Sequence, residues 1–259
     1  MCYAYRDRGS EEFLLNHLVD VEKYCEERWE LNALSHKISR VLRISIDDVR
    51  NAILLSSLLH DLGKVVQKFQ EECDQGVCKE FPGHYMISAF LVHLGLSAMG
   101  IVVEREDVHN FMEDRFDEID RNRVAGILIL FPIAFHHYHQ VKGFRSYSLS
   151  EYLKEFVEKP RIWGRCIEYL KSIHEYIDDS NLLNVATKLL DIVLDLDKLR
   201  NNNVYRSKLF IENFYNNVVD KGVKLQSITL SSVVIESITG LINLCDGYVA
   251  HRARCVGRK

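Results

Sequence analysis

Structure-breaking residues are scarce in this chain: three prolines (Pro82, Pro132, Pro160) and 13 glycines serve 259 residues. A many-stranded sandwich or barrel needs more frequent turns, so the scarcity points to long helices and an all-α fold. Apolar residues make up 47% of the chain, enough to build a core and too many for disorder. Leu14, Leu18, Val21 and Cys25, then Leu34, Ile38, Val41 and Leu42, recur at helical spacing and predict amphipathic helices over 11–28 and 31–42. Ser45 with Asp48 resembles a capping box opening a helix over about 47–62, and Ala52 to Leu59 is apolar almost all round, as befits a central helix. Residues 70–83 read as a polar loop. Further helices are expected over 84–96, 122–138 with a kink at Pro132, 149–157, 163–176, 182–199, 207–218 and 226–253. With no repeat, low-complexity tract or flexible linker in view, residues 1–259 read as one domain.

The charge balance excludes a polycation that coats nucleic acid or lipid: 33 Lys and Arg face 37 Asp and Glu, for a net charge of -4. Any grip on phosphate must be local. The seven cysteines form an odd, scattered set, and no long apolar segment follows Met1, which predicts a cytoplasmic protein with reduced thiols. Cys73 and Cys78 are close enough to be half of a zinc site, but no second pair follows at ligand spacing. The longest apolar run, 126–135, contains Pro132 and falls short of the about 20 residues that span a bilayer, so no membrane role is expected.

Chemistry concentrates in the histidines. His17 shares a helical stripe with Leu14, Val21 and Cys25, and Asp246 shares one with Ile235, Ile238, Ile242 and Val249, so both should face the interior. Alone, each reads best as a satisfied core residue. A buried carboxylate aimed at buried imidazoles, however, calls for a cation between them. His60 and Asp61 are adjacent at the end of the central helix, just before Gly63 and Lys64. Neighbouring helical residues project about 100° apart, so the remaining ligands must arrive from other helices. His17, His84, His136, His137 and Asp246 are the residues placed to supply them. Imidazole with carboxylate suits Mn, Fe, Co, Ni or Zn, and Mg through carboxylate and water positions. Such a set exceeds the needs of one catalytic ion, whereas two divalent ions about 3.5–4 Å apart, sharing one carboxylate, use all of it. His36, His93, His109, His174 and His251 read as surface or packing residues, and His139 sits at the lip of the expected site.

The run Leu58-Leu59-His60-Asp61-Leu62-Gly63-Lys64 resembles the signature of the HD phosphohydrolase superfamily. Gly83-His84 with Ser88-Ala89, the doublet His136-His137, and Leu244-Cys245-Asp246-Gly247-Tyr248-Val249-Ala250 are similar to the HD nuclease of type I CRISPR interference. The resemblance implies a helical HD bundle with extra helices inserted between the doublet and the last helix. It further implies that His17, His60, Asp61 and Asp246 hold one metal and Asp61, His84, His136 and His137 the second, with Asp61 bridging. His60, Asp61 and Lys64 would carry the catalysis, Lys64 by contacting a non-bridging phosphate oxygen; its structural alternative is a solvated lysine offsetting the helix dipole. That nuclease is either fused to a superfamily 2 helicase or encoded apart from it. No GxxxxGK[ST] phosphate loop occurs here, so the expected form is the stand-alone subunit. It would cut single-stranded DNA of an interference R-loop in antiviral defence, beside a separate helicase subunit and an effector complex. Lys142 with Arg145, and Arg252, Arg254, Arg258 and Lys259, are basic clusters suited to guiding the strand, with Phe144 and Tyr147 available for stacking. Two other functions fit the same residues: a nucleotidase or cyclic-nucleotide phosphodiesterase of the superfamily, and a non-catalytic HD scaffold.

Overall fold

The apolar stripes fold as helices packed on one another, and the fold class is all-α. In the computed structural model, described for residues 1–7, 10–137, 146–195, 206–213 and 229–256, the helices are α1 (Leu14–Glu26), α2 (Trp29–Leu42), α3 (Ile46–Leu59), α4 (Gln67–Asp74), α5 (His84–Ala98), α6 (Arg105–Met112), α7 (Arg121–Phe135), α8 (Ser146–Glu158), α9 (Gly164–Lys171), α10 (Ser180–Val193), α11 (206–213) and α12 (Leu230–Val256). α3 is buried on nearly every face from Ala52 to Leu59 and lies against α1, α2 and α7, while α5 also packs on α7. The Ser45 hydroxyl caps α3 by accepting from the Asp48 amide at 2.9 Å. α7 runs through Pro132, which has no N–H to offer the Leu128 carbonyl. The Ser56 hydroxyl of α3 stands 3.3 Å from that oxygen, so a neighbouring helix supplies polar contact where the helix itself cannot.

Three local expectations need correction. Residues 11–13 open no helix but form the second strand of a hairpin, β1 (Tyr3–Asp7) antiparallel to β2 (Ser10–Phe13). Gln70 holds this hairpin to the bundle: its amide accepts from the Tyr3 N–H at 2.8 Å and donates to the carbonyls of Tyr3 at 2.9 Å and Lys64 at 2.8 Å. The polar stretch expected as a loop from residue 70 is helical to Asp74, because Phe69, Gln70 and Cys73 bury one face of α4. A short helix, α6, also occupies Arg105–Met112, stabilised by a reciprocal cap between Glu104 and Asp107. Elsewhere among the described residues only boundaries differ, and residues 138, 196–199, 214–218 and 226–228 of the expected helices lie outside them. The helix expected over 163–176 ends at Lys171 and passes into a 3-10 turn at Ser172–Glu175.

The cysteines overturn the expectation of reduced thiols. Cys2–Cys166, Cys25–Cys245 and Cys73–Cys78 are disulfides, and Cys255 is free and exposed. Cys73 and Cys78 therefore bind each other rather than half of a zinc site. Spacing could not reveal the other two pairs, whose members lie 164 and 220 residues apart and meet only when the bundle closes. Cys25–Cys245 ties α1 to α12. Its replacement in a Cys25→Ser, Cys245→Ser variant is expected to lower the unfolding free energy by about 2–4 kcal/mol. The urea midpoint reads that loss, and an unchanged midpoint would rule the bridge out as a stabilising element.

α12 is long and apolar enough to cross a membrane by length and composition. In the bundle its inner face, with Val234, Ile238, Leu241, Ile242 and Cys245 buried, lies on α1, α2 and α7. Asp246 follows directly on that buried face, and the helix thereby delivers a carboxylate to the end of α3.

Candidate metal centre

The site forms where α3 stops. Leu59 ends the helix, His60 is its C-cap, and Asp61 leaves helical geometry at φ −103° and ψ 11° before a 3-10 turn over Leu62–Val65. That change of direction lets two consecutive side chains converge, with His60 Nε2 3.5 Å from Asp61 Oδ2. The turn lies directly on the start of α5. The Gly63 N–H donates to the Ser88 hydroxyl at 2.7 Å, and the same hydroxyl donates to the His84 carbonyl at 2.9 Å. Gly83 caps α5 at φ +74°, a left-handed conformation natural to glycine, and so starts the helix with His84 at the site. His136 is the C-cap of α7. His17 comes from α1 and Asp246 from α12.

The rings are oriented before any ligand arrives. Nδ1 of His60, His84 and His136 lies 2.7, 2.5 and 2.7 Å from the carbonyl oxygens of Ser57, Phe81 and Ile133, three residues back in each case. A carbonyl only accepts, so each Nδ1 carries the proton and each Nε2 presents a lone pair. For His17 the acceptor at Nδ1 is the Glu12 carboxylate, at 2.7 Å. Nε2 of all these rings, and Oδ1 of Asp61, are buried without a hydrogen-bond partner. They nevertheless crowd together. Asp61 Oδ1 is 2.8 Å from His84 Nε2 and 3.4 Å from His136 Nε2, and Asp61 Oδ2 is 3.4 Å from His17 Nε2. Asp246 Oδ1 lies 3.2 Å from His17 Nε2 and 3.8 Å from His60 Nε2. Lone pairs facing carboxylate oxygens at such distances repel unless a cation or proton lies between them.

The donors fall into two groups, His17, His60, Asp61 and Asp246, and Asp61, His84, His136 and His137. Within each, one donor atom per residue lies within 4.8 Å of the others, and Asp61 belongs to both. All seven residues singled out in the sequence thus meet. Electrostatics prepares them as ligands. Burial would raise the pKa of Asp61, but the positive charge of Lys64 and the His60, His84 and His136 rings that face it hold it well below the usual carboxylate range. Burial is likewise outweighed at Asp246, by the neighbouring His17 and His60 rings, so its pKa also lies well below that range. Burial pushes His136 down to about 4, and burial beside the His136 and His84 rings takes His137 down to about 2, so both rings stay neutral with lone pairs available. His17 goes the other way. Burial lowers it, but Asp246, Asp61 and Glu12 together raise it well above its ordinary value, so a proton there competes with a metal ion for the same Nε2. Neutral imidazoles with ionised carboxylates and no thiolate can hold a divalent metal ion of the borderline or hard class.

Lys64 is buried beside them, its Nζ 2.5 Å from Asp61 Oδ2 and 3.4 Å from the Ala4 carbonyl. The ammonium supplies positive charge to the carboxylate rather than sitting in solvent at a helix end. Asp61, His84, His137, Asp246 and Lys64 all border a cleft of about 780 Å³, whose rim includes Lys79, Phe81, Tyr85, His251 and Arg254. Arg254 is no part of a free tail: its guanidinium covers the Tyr5 ring at 4.2 Å and lies 3.6 Å from Glu12 Oε2. Arg252 is exposed. His139, Lys142, Phe144, Arg145, the Tyr147 side chain, Arg258 and Lys259 lie outside the described residues. Of the remaining histidines, His36, His109 and His174 are exposed. His93 is a packing residue, 2.9 Å from the Ser207 hydroxyl and stacked on Phe210.

Sequence reasoning missed Glu12, because residues 11–13 read as the start of a helix. Residues 5–128 match the family model described as "Cas3, HD domain", a stretch that contains His17, His60, Asp61 and His84 and stops before His136, His137 and Asp246. No curated protein and no solved structure matches the chain.

Proposed function

We propose, from the match of residues 5–128 to the family model of the Cas3 HD domain, that the protein hydrolyses phosphodiester bonds of single-stranded DNA during CRISPR interference, beside a separate helicase subunit and an effector complex. The observation that carries this reading is the convergence of buried, unpartnered imidazole Nε2 atoms on Asp61 at the floor of a cleft.

On this reading His17, His60, Asp61 and Asp246 hold one divalent ion, and Asp61, His84, His136 and His137 hold a second, with Mn, Mg, Co, Ni or Fe suited to the donors. Ions bound there supply Lewis acidity, which lowers the pKa of water and neutralises charge on a phosphodiester. The protein's own part is positioning. The backbone carbonyls of Ser57, Phe81 and Ile133 hold three ligand rings in one tautomer, so no reorientation is needed when substrate arrives. Lys64 borders the cleft next to Asp61 and is placed to donate to a non-bridging phosphate oxygen. Arg254 at the rim adds positive charge along the path of a phosphate backbone. Phe81, Pro82, Tyr85 and Ala250 give the cleft apolar surface, which suits a strand bound without regard to sequence.

The test offers labelled single-stranded DNA, double-stranded DNA and a panel of mono- and cyclic nucleotides to the protein with Mn, Co, Ni or Mg. Cleavage of single-stranded DNA is the expected result. Turnover of nucleotides alone would replace the nuclease with a nucleotidase or phosphodiesterase, and inactivity on every substrate would favour the scaffold.

A further inference from the structure

The geometry points to Glu12 as a positioning residue that holds His17 in the tautomer and orientation needed to ligate a metal, a role that rests on the metal-dependent reading above. His60, His84 and His136 orient themselves on carbonyls at the ends of their own helices. Ser57 and Ile133 lie in the last turns of α3 and α7, and Phe81 lies just before α5, where its oxygen accepts from the His84 N–H at 3.2 Å as well. His17 has no such carbonyl. The oxygen three residues before it belongs to Leu14, the first residue of α1, and serves the helix ladder. An acceptor must therefore come from elsewhere, and β2 supplies it: Glu12 Oε1 is 2.7 Å from His17 Nδ1.

One other group faces this carboxylate, the Arg254 guanidinium, at 3.6 Å from Oε2. Glu12 is 6% exposed, and its second oxygen is buried with no hydrogen bond. A residue kept only for packing would be cheaper as an apolar one, since burying a charged group without full hydrogen bonding is unfavourable. The hairpin that carries Glu12 is itself fixed to the bundle through Gln70, which gives the carboxylate a rigid mount.

The experiment titrates Mn²⁺ into the full chain by calorimetry for the wild type, Glu12→Ala and Glu12→Gln, with thermal unfolding of each. Glutamine keeps an acceptor oxygen at the same reach. Glu12→Ala is expected to weaken one of two Mn²⁺ sites by ~10–100-fold and leave the other unchanged, because the second group contains no His17. Glu12→Gln is expected to restore most of that loss. Two sites of unaltered affinity in Glu12→Ala would overturn the assignment while leaving the metal centre standing. So would equal weakening of both sites with a lowered melting temperature, or a Gln variant as weak as Ala. A wild type that binds no Mn²⁺ would instead overturn the metal reading, and this role with it.

Discussion

Asp61→Ala is expected to reduce metal-dependent DNA cleavage by ~10³-fold or more, equivalent to about 4 kcal/mol of transition-state stabilisation. The reason is its double membership: Asp61 is the one carboxylate common to both donor groups, and the group with His84, His136 and His137 has no other. Initial rates with Mn²⁺ and the number of ions bound check both halves of this expectation. A variant that keeps a tenth of the wild-type rate would show that the reaction does not depend on this residue. Asp61→Ala also removes the ion-pair partner of Lys64, 2.5 Å away. Breaking a fully buried pair costs about 3–5 kcal/mol. Lys64 borders the cleft and can turn its ammonium toward water, so a smaller loss of about 1–3 kcal/mol is expected on unfolding. His174→Ala, on an exposed ring, is the matched control and is expected to change neither quantity.

The second large effect belongs to a residue with no side chain. A Cβ on Gly63 would stand 2.1 Å from the His84 carbonyl oxygen and 2.9 Å from the Ser88 amide nitrogen. Both are backbone atoms at the start of α5, so no rotamer change can relieve the clash and the 3-10 turn must move as a unit. Gly63→Ala is therefore expected to destabilise the protein by about 3 kcal/mol or more, the upper end of overpacking effects. That corresponds to a fall of about 6–12 °C in melting temperature for a chain of this size. The displaced turn carries Asp61 away from His84, and a shift of about 1 Å in a catalytic group lowers rates by ~10²-fold. Differential scanning calorimetry and cleavage rates read the two effects. Gly240→Ala makes the contrast, since nothing lies within 4 Å of its added Cβ on the exposed face of α12. It is expected to stabilise by about 0.5–1 kcal/mol. A Gly63→Ala protein as stable and active as wild type would mean that the turn does not rest on α5 as described.

These two predictions differ in how much of their basis can be read from sequence. Asp61 stands out unaided, because a carboxylate beside a histidine at the end of an apolar helix is hard to explain without a cation. The matching groups on α1, α5, α7 and α12 stand out for a related reason: ionisable residues placed on apolar stripes or at helix ends. Gly63 is visible only as one member of a familiar run, and the backbone it must clear belongs to residues 84–88. Glu12 is less visible still. Its neighbours suggested a helix, and its partner lies five residues away across a junction of strand and helix. The same limit hid α4, whose buried face depends on contact with a hairpin about 67 residues away. It also hid two disulfides that span most of the chain. Arg254 and Lys64 illustrate it at the level of single charges: the sequence suits the first to guiding a strand and the second to a phosphate contact, but does not show that each is turned inward onto a carboxylate.

Read alone, the sequence determined that the chain is helical, that its central helix is enclosed by others, and which histidines and aspartates stand ready for a metal. Periodicity carries that much, because it reports which face of a helix is hidden from water. Only the tertiary structure decided what each hidden face meets. The convergence of lone pairs on Asp61, the close fit of Gly63 under α5 and the Cys2–Cys166 and Cys25–Cys245 pairs join segments that chain order keeps apart. Such contacts exist only after packing has brought those segments together, and no pattern of spacing along the chain encodes them.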